Sequence, residues 1–151
     1  MHVGSNLEVL QDRSAVAGAF RFAFQEAFFG SKAVEFSTNL RSRWGQMPYG
    51  DQALFLPRAI FEELGGFADL PILEDYDLVR RLRRIGRVVT LQQPALTSGR
   101  RWKELGVLRT TLINKWMILG YRVGWPVHRL ASTYRRVRVQ LPARAASASK
   151  F

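Results

Sequence analysis

The chain has 151 residues, 47% of them hydrophobic, which is enough for one domain with a substantial core. It contains no cysteine, which excludes disulfides and thiolate metal sites. Its only histidines, His2 and His128, are too far apart to suggest a metal site or a Ser–His–Asp triad. The polar N-terminus does not fit a secretory signal, so we expect a cytoplasmic location, with a peripheral position at the inner membrane as the alternative.

The net charge of +11 is concentrated in the last third of the chain. Residues 1–105 contain 14 of the 23 Lys and Arg residues and all 12 Asp and Glu residues, whereas residues 106–151 contain nine basic residues and no acid. The first part therefore has the nearly balanced charge of a soluble enzyme domain, and the basic excess belongs to the C-terminal part.

The first predicted elements are a strand and a helix. Small, β-branched and aromatic residues at 15–24, with phenylalanines at every second position from Phe20 to Phe24, predict the strand. Residues 26–44 are predicted to form the helix because apolar residues recur every three to four positions. These residues are Phe28, Phe29, Ala33, Phe36 and Leu40. Glycine and proline at 45–50 end the helix, and residues 53–56 are predicted to be a short buried strand.

Two helices and two short strands are predicted next. Pro57 suits the first turn of a helix at 58–64, and Gly65-Gly66 ends that helix because a left-handed cap favours glycine. A helix at 74–85 has acids at its start and arginines near its end, which suits the helix dipole. Its apolar stripe consists of Leu78, Leu82 and Ile85, and Gly86 ends it. Residues 88–91 and 95–98 are predicted to be short strands on either side of Pro94.

The C-terminal part is predicted to contain two basic helices, at 107–123 and 127–139, followed by a disordered tail at 140–151. Lys115 interrupts the first helix, which is too short for a membrane span. Two arrangements stay open for it. It lies flat on an anionic membrane surface, with Trp116, Tyr121 and Trp125 among the basic residues, or its apolar face packs on the domain.

Two acids open the helix at 74–85. Glu74 and Asp75 follow a Gly-Gly turn and a proline-containing loop, which places them at the domain surface. A carboxylate held there can act as a general base. Acids at a helix N-terminus are more often ordinary capping residues, and the local pattern alone favours capping.

A wider set of motifs resembles a known family. Gly65-Gly66-Phe67 followed by Glu74-Asp75 resembles the inverting family 2 glycosyltransferases of the GT-A fold. A bacterial subgroup of that family is similar over the whole ordered series of segments at 39–43, 48–52, 65–67, 74–78, 80–87 and 97–102. The resemblance spans roughly residues 15–136 and implies that Asp75 is the base that deprotonates the acceptor hydroxyl, with Glu74 as its neighbour.

The resemblance also implies a fold. We expect an α/β structure, the C-terminal half of a GT-A (Rossmann-like nucleotide-diphospho-sugar transferase) fold with a mixed sheet and helices, followed by amphipathic helices. Residues 1–105 are expected to form the acceptor-side part of the transferase domain, and residues 106–139 a basic helical extension.

Two further segments are candidates for substrate contacts. Tyr49, Gly50, Asp51 and Gln52 offer groups that hydrogen-bond sugar hydroxyls, and the alternative is a polar turn before a strand. The segment Arg100-Arg101-Trp102 resembles the end of the Q-x-x-R-W motif of processive family members. Ser98 stands where that motif has glutamine, which argues against a processive enzyme. A basic loop with a tryptophan in the core is the equal alternative for the Arg-Arg-Trp segment.

The donor side of such an enzyme is not evident in this sequence. Residues 75–77 spell D-x-D, but they open a helix after a Gly-Gly turn, so they match the base motif and no metal ligand is assigned. The complete enzyme is expected to use Mg²⁺ or Mn²⁺, a nucleotide-sugar donor and a sugar or lipid acceptor, with an N-terminal nucleotide-binding half that this chain lacks. The alternative is a non-catalytic partner or pseudoenzyme that binds a membrane surface or another chain. Nucleic-acid binding ranks low because no recognised motif is present.

Overall fold

The computed structural model of the protein describes residues 14–139. It has the predicted mixed α/β character, with one two-stranded parallel sheet and several helices among these residues. The chain divides into two compact units, one ending at Gly99 and the other starting at Arg100. The domain boundary expected between residues 105 and 106 stays a prediction. The tail expected at 140–151 lies outside the described residues.

In the first unit, the described residues begin with strand β1, and helix α1 follows. β1 spans Ala15–Phe24, as predicted, and α1 spans Ser31–Trp44, so it begins five residues later than expected. A turn delays it: Gly30 adopts φ 81°, and the Phe28 amide donates to Ser31 Oγ. Left-handed backbone at this position favours glycine and is incompatible with a helix starting earlier.

The buried face of α1 differs from the expected apolar stripe. Its buried residues are Ser31, Val34 and Ser42, whereas Phe36 and Leu40 are largely exposed. The apolar spacing therefore predicted the helix correctly but not the face that packs on the sheet.

Strand β2 spans Arg87–Thr97 and pairs in parallel with β1. The expectation of two short strands around Pro94 is wrong, because one strand runs through the proline. The register shifts between the pairs Ala19↔Thr90 and Arg21↔Pro94. Such an irregularity lets a strand accommodate a residue that has no amide hydrogen to donate.

The prediction of a short strand at residues 53–56 is also wrong. Only Phe55 is bridged, and its amide and carbonyl pair antiparallel with those of Gly18 at 2.8 Å each. A Cβ on Gly18 would lie 2.1 Å from the Phe55 ring, so the close approach of the two backbones requires glycine there.

Helices α2 and α3 frame the loop that precedes the candidate base. α2 spans Arg58–Glu63, with Pro57 at its N-cap, and Gly65 and Gly66 follow it in the left-handed region, as predicted. α3 spans Glu74–Ile85, with both ends as predicted.

The core of the first unit lies between α3 and the sheet. Leu78 and Leu82 of α3 are fully buried against Ala17 of β1 and Val88 of β2. Ile85 is 50% exposed, so the prediction that it belongs to the buried apolar stripe of this helix is wrong. It occupies the last position of the helix, beyond these core contacts.

The described residues of the second unit, 100–139, form three helices. α4 spans Arg100–Leu105, α5 spans Val107–Arg122, and α6 spans Val127–Val139. α5 and α6 lie where they were predicted, whereas α4 was not predicted. No helix within residues 14–139 has the length and hydrophobicity needed to cross a membrane.

Candidate functional site

The candidate base and one substrate-contact segment meet in the first unit. The Gly50 amide donates a hydrogen bond of 2.6 Å to Asp75 Oδ2, across 25 residues of sequence. Asp75 Oδ1 lies 2.7 Å from the Tyr76 amide nitrogen, which donates to it. Both carboxylate oxygens therefore have backbone donors, which hold the side chain in one orientation at the start of α3.

The Gly50 backbone approaches Asp75 closely because the residue has no side chain. A Cβ at position 50 would lie 3.0 Å from Asp75 Oδ2 and 3.4 Å from its Cβ. Residues Gly50–Gln52 form a single 3₁₀ turn, which directs the Gly50 amide toward α3. The glycine is thus part of the contact and not only a break after α1.

Tyr49 and Arg41 lie beside this contact. The guanidinium carbon of Arg41 lies 3.5 Å from the centre of the Tyr49 ring, a stacked cation–π arrangement. Arg41 Nε donates to the Met47 carbonyl at 3.1 Å, whereas its Nη2 is buried and has no hydrogen-bond partner among the described residues. A donor left unpaired in the interior is costly, and this nitrogen has no accessible surface through which a ligand could reach it in this structure.

The environment changes the pKa of both side chains. Burial lowers the pKa of Arg41, although the nearby Tyr49, Asp51 and Asp75 oppose the change by favouring its charged form. Burial raises the pKa of Tyr49, with Tyr76 and Asp75 adding to that effect and Arg41 opposing it. The Tyr49 phenol is therefore neutral at physiological pH and remains able to donate its hydrogen.

Tyr76, between the two acids of the D-x-D sequence, is buried and supports Tyr49. The two rings meet edge to face, with centroids 6.0 Å apart. Asp77 forms a salt bridge of 2.8 Å with Arg81 Nε, whereas Asp75 is held by Gly50. The two acids of the D-x-D sequence thus have separate partners. No cluster of three potential metal ligands occurs within residues 14–139.

Gln52 is buried and connects several elements of the fold through hydrogen bonds. It is fully buried, and its amide nitrogen donates to the Phe20 carbonyl and to Ser42 Oγ, at 3.0 Å each. Ser42 Oγ in turn lies 2.6 Å from Thr90 Oγ1. This buried network ties the 3₁₀ turn to both strands and to α1, so Gln52 positions its neighbours and has no surface for a ligand in this structure.

The remaining acids of the candidate site are accessible. Asp51 is exposed, and its carbonyl accepts a hydrogen bond of 3.0 Å from Thr97 Oγ1 at the end of β2. Glu74 is exposed in the first turn of α3. Asp51 therefore lies on the rim of the Arg41–Tyr49 pair, and Glu74 next to Asp75 along the helix.

Arg100, Arg101 and Trp102 belong to the second unit, where they open α4 and do not form a loop. Arg101 donates to the Tyr134 hydroxyl and to Asn114 Oδ1, so α5 and α6 hold its guanidinium. Its position fits a helix-packing role within this unit. The substrate contacts assigned to these three residues stay predictions.

Two residues of the site were missed in the sequence. Arg41 lay in a segment that resembles the family but received no role, and Tyr76 was passed over as the middle of the D-x-D sequence. The available signal for Arg41 was its spacing of seven residues from Val34, which places both on the same face of α1. Its proximity to Tyr49 was not evident without the turn at 45–50.

No family model, curated protein or solved structure matches this chain. The candidate site is therefore described by its own geometry: a carboxylate fixed by two backbone amides, beside a neutral phenol and a partly unpaired guanidinium.

Proposed function

We propose that the first unit is the acceptor-side part of an inverting glycosyltransferase, folded as the C-terminal half of a GT-A domain. The observation that carries the proposal is the hydrogen bond between the Gly50 amide and Asp75 Oδ2. It joins the two segments to which the family resemblance gives the sugar contact and the base. An oriented carboxylate beside an aromatic ring and hydrogen-bond donors suits a sugar hydroxyl.

In the proposed reaction, Asp75 accepts the proton of the acceptor hydroxyl while the hydroxyl oxygen attacks the anomeric carbon of a nucleotide-sugar. A glycosidic C–O bond forms as the bond between the anomeric carbon and the diphosphate oxygen breaks. The nucleoside diphosphate leaves with the electron pair, and the configuration at the anomeric carbon inverts. Asp75 then returns its proton to water.

The neighbouring residues orient the acceptor in this proposal. The neutral Tyr49 phenol and the exposed Asp51 carboxylate hydrogen-bond acceptor hydroxyls, and the guanidinium of Arg41 stacks on the Tyr49 ring and positions it. Glu74 adds negative charge next to the base. No group of three potential metal ligands lies within residues 14–139, so no step is assigned to Mg²⁺ or Mn²⁺.

The test is nucleoside diphosphate release by the full chain with Mn²⁺ and a series of UDP- and GDP-sugars, in the presence of monosaccharide and lipid acceptors. Asp75→Asn keeps the shape of the side chain and removes its basicity, so release is expected to fall to the background rate. Asp69→Asn alters an exposed acid of the preceding loop and serves as the matched control. Near-normal release by Asp75→Asn would refute the base assignment.

The competing explanation is a non-catalytic partner or pseudoenzyme, in which Asp75 only connects the 3₁₀ turn to α3. Under that explanation, calorimetry shows no heat of binding with the monosaccharide and lipid acceptors as well as with the donors and Mn²⁺, whereas an acceptor-side domain binds its acceptor. Asp75→Asn would then lower the free energy of unfolding without any change in a transfer rate.

A further inference from the structure

We infer that the second unit binds the surface of an anionic lipid bilayer through one exposed face of α5. The inference rests on the second unit alone and holds whether or not the first unit transfers a sugar. It concerns a surface and a class of partner, a membrane rich in acidic phospholipids.

The first observation is an apolar stripe that faces solvent. Leu108, Leu112, Trp116 and Leu119 follow one another at four-, four- and three-residue spacing, which places them on one face of a helix. Their exposed fractions range from 43% to 73%. We call these four residues the α5 stripe. Four large apolar side chains exposed on one face indicate a docking surface and not scattered surface residues.

The opposite face of α5 is buried. Thr110, Met117 and Gly120 are buried, and a Cβ on Gly120 would lie 2.8 Å from Leu130 of α6. Glycine thus allows α5 and α6 to pack closely on that side. Because the packed and exposed faces are distinct, the α5 stripe stays available while the helix pair remains intact.

The second observation is the charge around the stripe. Arg109 borders it on one side, and Lys115 and Arg122 border it on the other, and all three are exposed. No acid occurs anywhere in residues 106–151. Apolar residues between cations match a bilayer whose headgroups are anionic and whose interior is apolar.

Aromatic residues mark the expected depth of binding. Trp116 and Trp125 meet edge to face, with ring centroids 5.0 Å apart, and both are more than 40% exposed. Tryptophan favours the level of the headgroups because its ring is apolar and its N–H is polar. Since α5 is too short and too polar to span, it lies in the plane of the interface.

The charge of this surface favours an anionic bilayer over a second copy of the chain or a nucleic acid. Two copies meeting through the stripe would bring their cations together without a single acid between them, and like charges repel. A nucleic acid would pair the cations but would leave the apolar side chains exposed to water. A bilayer with acidic lipids pairs the cations with its headgroups and also removes the apolar side chains from water.

The experiment is flotation of the full chain with vesicles of phosphatidylcholine, with or without about 30 mol% phosphatidylglycerol. We expect binding to the anionic vesicles that weakens as salt rises. Leu112→Gln with Leu119→Gln is expected to weaken the partition coefficient at least about tenfold, since it removes two apolar side chains from the interface. Each of Arg109→Gln, Lys115→Gln and Arg122→Gln is expected to weaken it about fivefold.

A matched control exists on α1. Phe36 and Leu40 are also exposed and apolar, but they lie on a helix with Lys32 and Glu35 and in the charge-balanced unit. Phe36→Gln with Leu40→Gln is therefore expected to leave vesicle binding within about twofold of the unaltered chain. Circular dichroism of each variant checks that the helices are retained.

Three outcomes would overturn the inference. The first is equal vesicle binding by the chain with and without Leu112→Gln and Leu119→Gln. The second is a dimer in analytical ultracentrifugation that this pair of substitutions dissociates, which would assign the stripe to a second copy. The third is binding to duplex DNA but not to anionic vesicles.

Discussion

The Gly50 amide lies 2.6 Å from Asp75 Oδ2 and donates to it, so a glycine in the turn after α1 sets the orientation of a carboxylate at the start of α3. The contact spans two elements that are distant in sequence. It depends on the absence of a side chain at position 50, because a Cβ there would press against the carboxylate. Altering Gly50 therefore tests the proposed function without changing Asp75.

Gly50→Ala is expected to lower the transfer rate at least about tenfold while the free energy of unfolding changes little. The added Cβ, 3.0 Å from Oδ2, forces Asp75 to move by a few tenths of an ångström, and catalytic groups tolerate little displacement. Gly50 is outside the left-handed region, so alanine does not strain its backbone. Steady-state kinetics and urea denaturation measure the two effects, and an unchanged rate would show that the orientation of Asp75 does not matter.

Arg81→Lys is expected to destabilise the protein by about 2 kcal/mol. The Arg81 guanidinium donates to the Leu64 and Gly66 carbonyls at 2.7 and 2.8 Å and pairs with Asp77. These bonds hold the Gly-Gly turn against α3, and the single ammonium of lysine cannot make all of them. Urea denaturation measures the loss.

The control for that change is Arg83→Lys, at an exposed position of the same helix. We expect it to alter the free energy of unfolding by less than about 0.5 kcal/mol. Equal effects of the two substitutions would contradict the role given to Arg81.

Gly18→Ala is expected to destabilise the first unit by about 3 kcal/mol. The new Cβ would lie 2.1 Å from Phe55 Cζ, and the two backbones cannot separate without losing both hydrogen bonds of the bridge. Combining it with Phe55→Leu should recover at least about 1 kcal/mol of that loss, because the smaller side chain relieves the contact. Additive effects in this double-mutant cycle, measured by urea denaturation, would refute the steric explanation.

Glu35 is expected to make stability depend on pH in the acid range. Burial acts to raise its pKa, but the hydrogen bond from the Phe24 amide and the ion pair with Lys32 together bring the pKa below its ordinary value of 4.5. The unfolded chain therefore binds a proton first as the pH falls. The stability that Glu35 contributes is present above pH 4.5 and is lost as the pH falls through the folded-state pKa.

Glu35→Gln should accordingly flatten the decline in the free energy of unfolding between neutral pH and the acid range. Denaturation with urea at a series of pH values measures it. Glu62→Gln, which changes a more exposed acid paired with Arg58, is the control and should leave the slope unchanged. A slope that is the same with and without Glu35 would rule out this contribution.

Elements with strong local signals were predicted well from the sequence. Small, β-branched and aromatic residues predicted the bounds of β1. The acids that follow one another from Glu74 and the glycine at position 86 predicted the two ends of α3. The end of α2 at Gly65 and Gly66 was also predicted, because a left-handed helix cap depends only on the backbone conformation of the glycines themselves. Each of these features depends on residues within a few positions of one another.

The candidate site was predicted only in part. The sequence singled out Asp75 and the segment from Tyr49 to Gln52, but it did not show that Gly50 contacts Asp75 or that Gln52 is buried. Arg41 was missed because its importance comes from stacking on Tyr49 after the chain reverses direction. These relationships join separate elements, and no local pattern specifies them.

What the sequence by itself determined is the α/β character, most helix positions, the turn glycines and the concentration of positive charge in residues 106–151. Only the tertiary structure decided which faces of α1 and α5 are buried, as the exposed Phe36 of α1 and the exposed α5 stripe show. The physical reason is that backbone propensity acts through neighbours in the chain. Burial is a property of the contacts between elements, so an apolar stripe predicts a helix without stating what covers it.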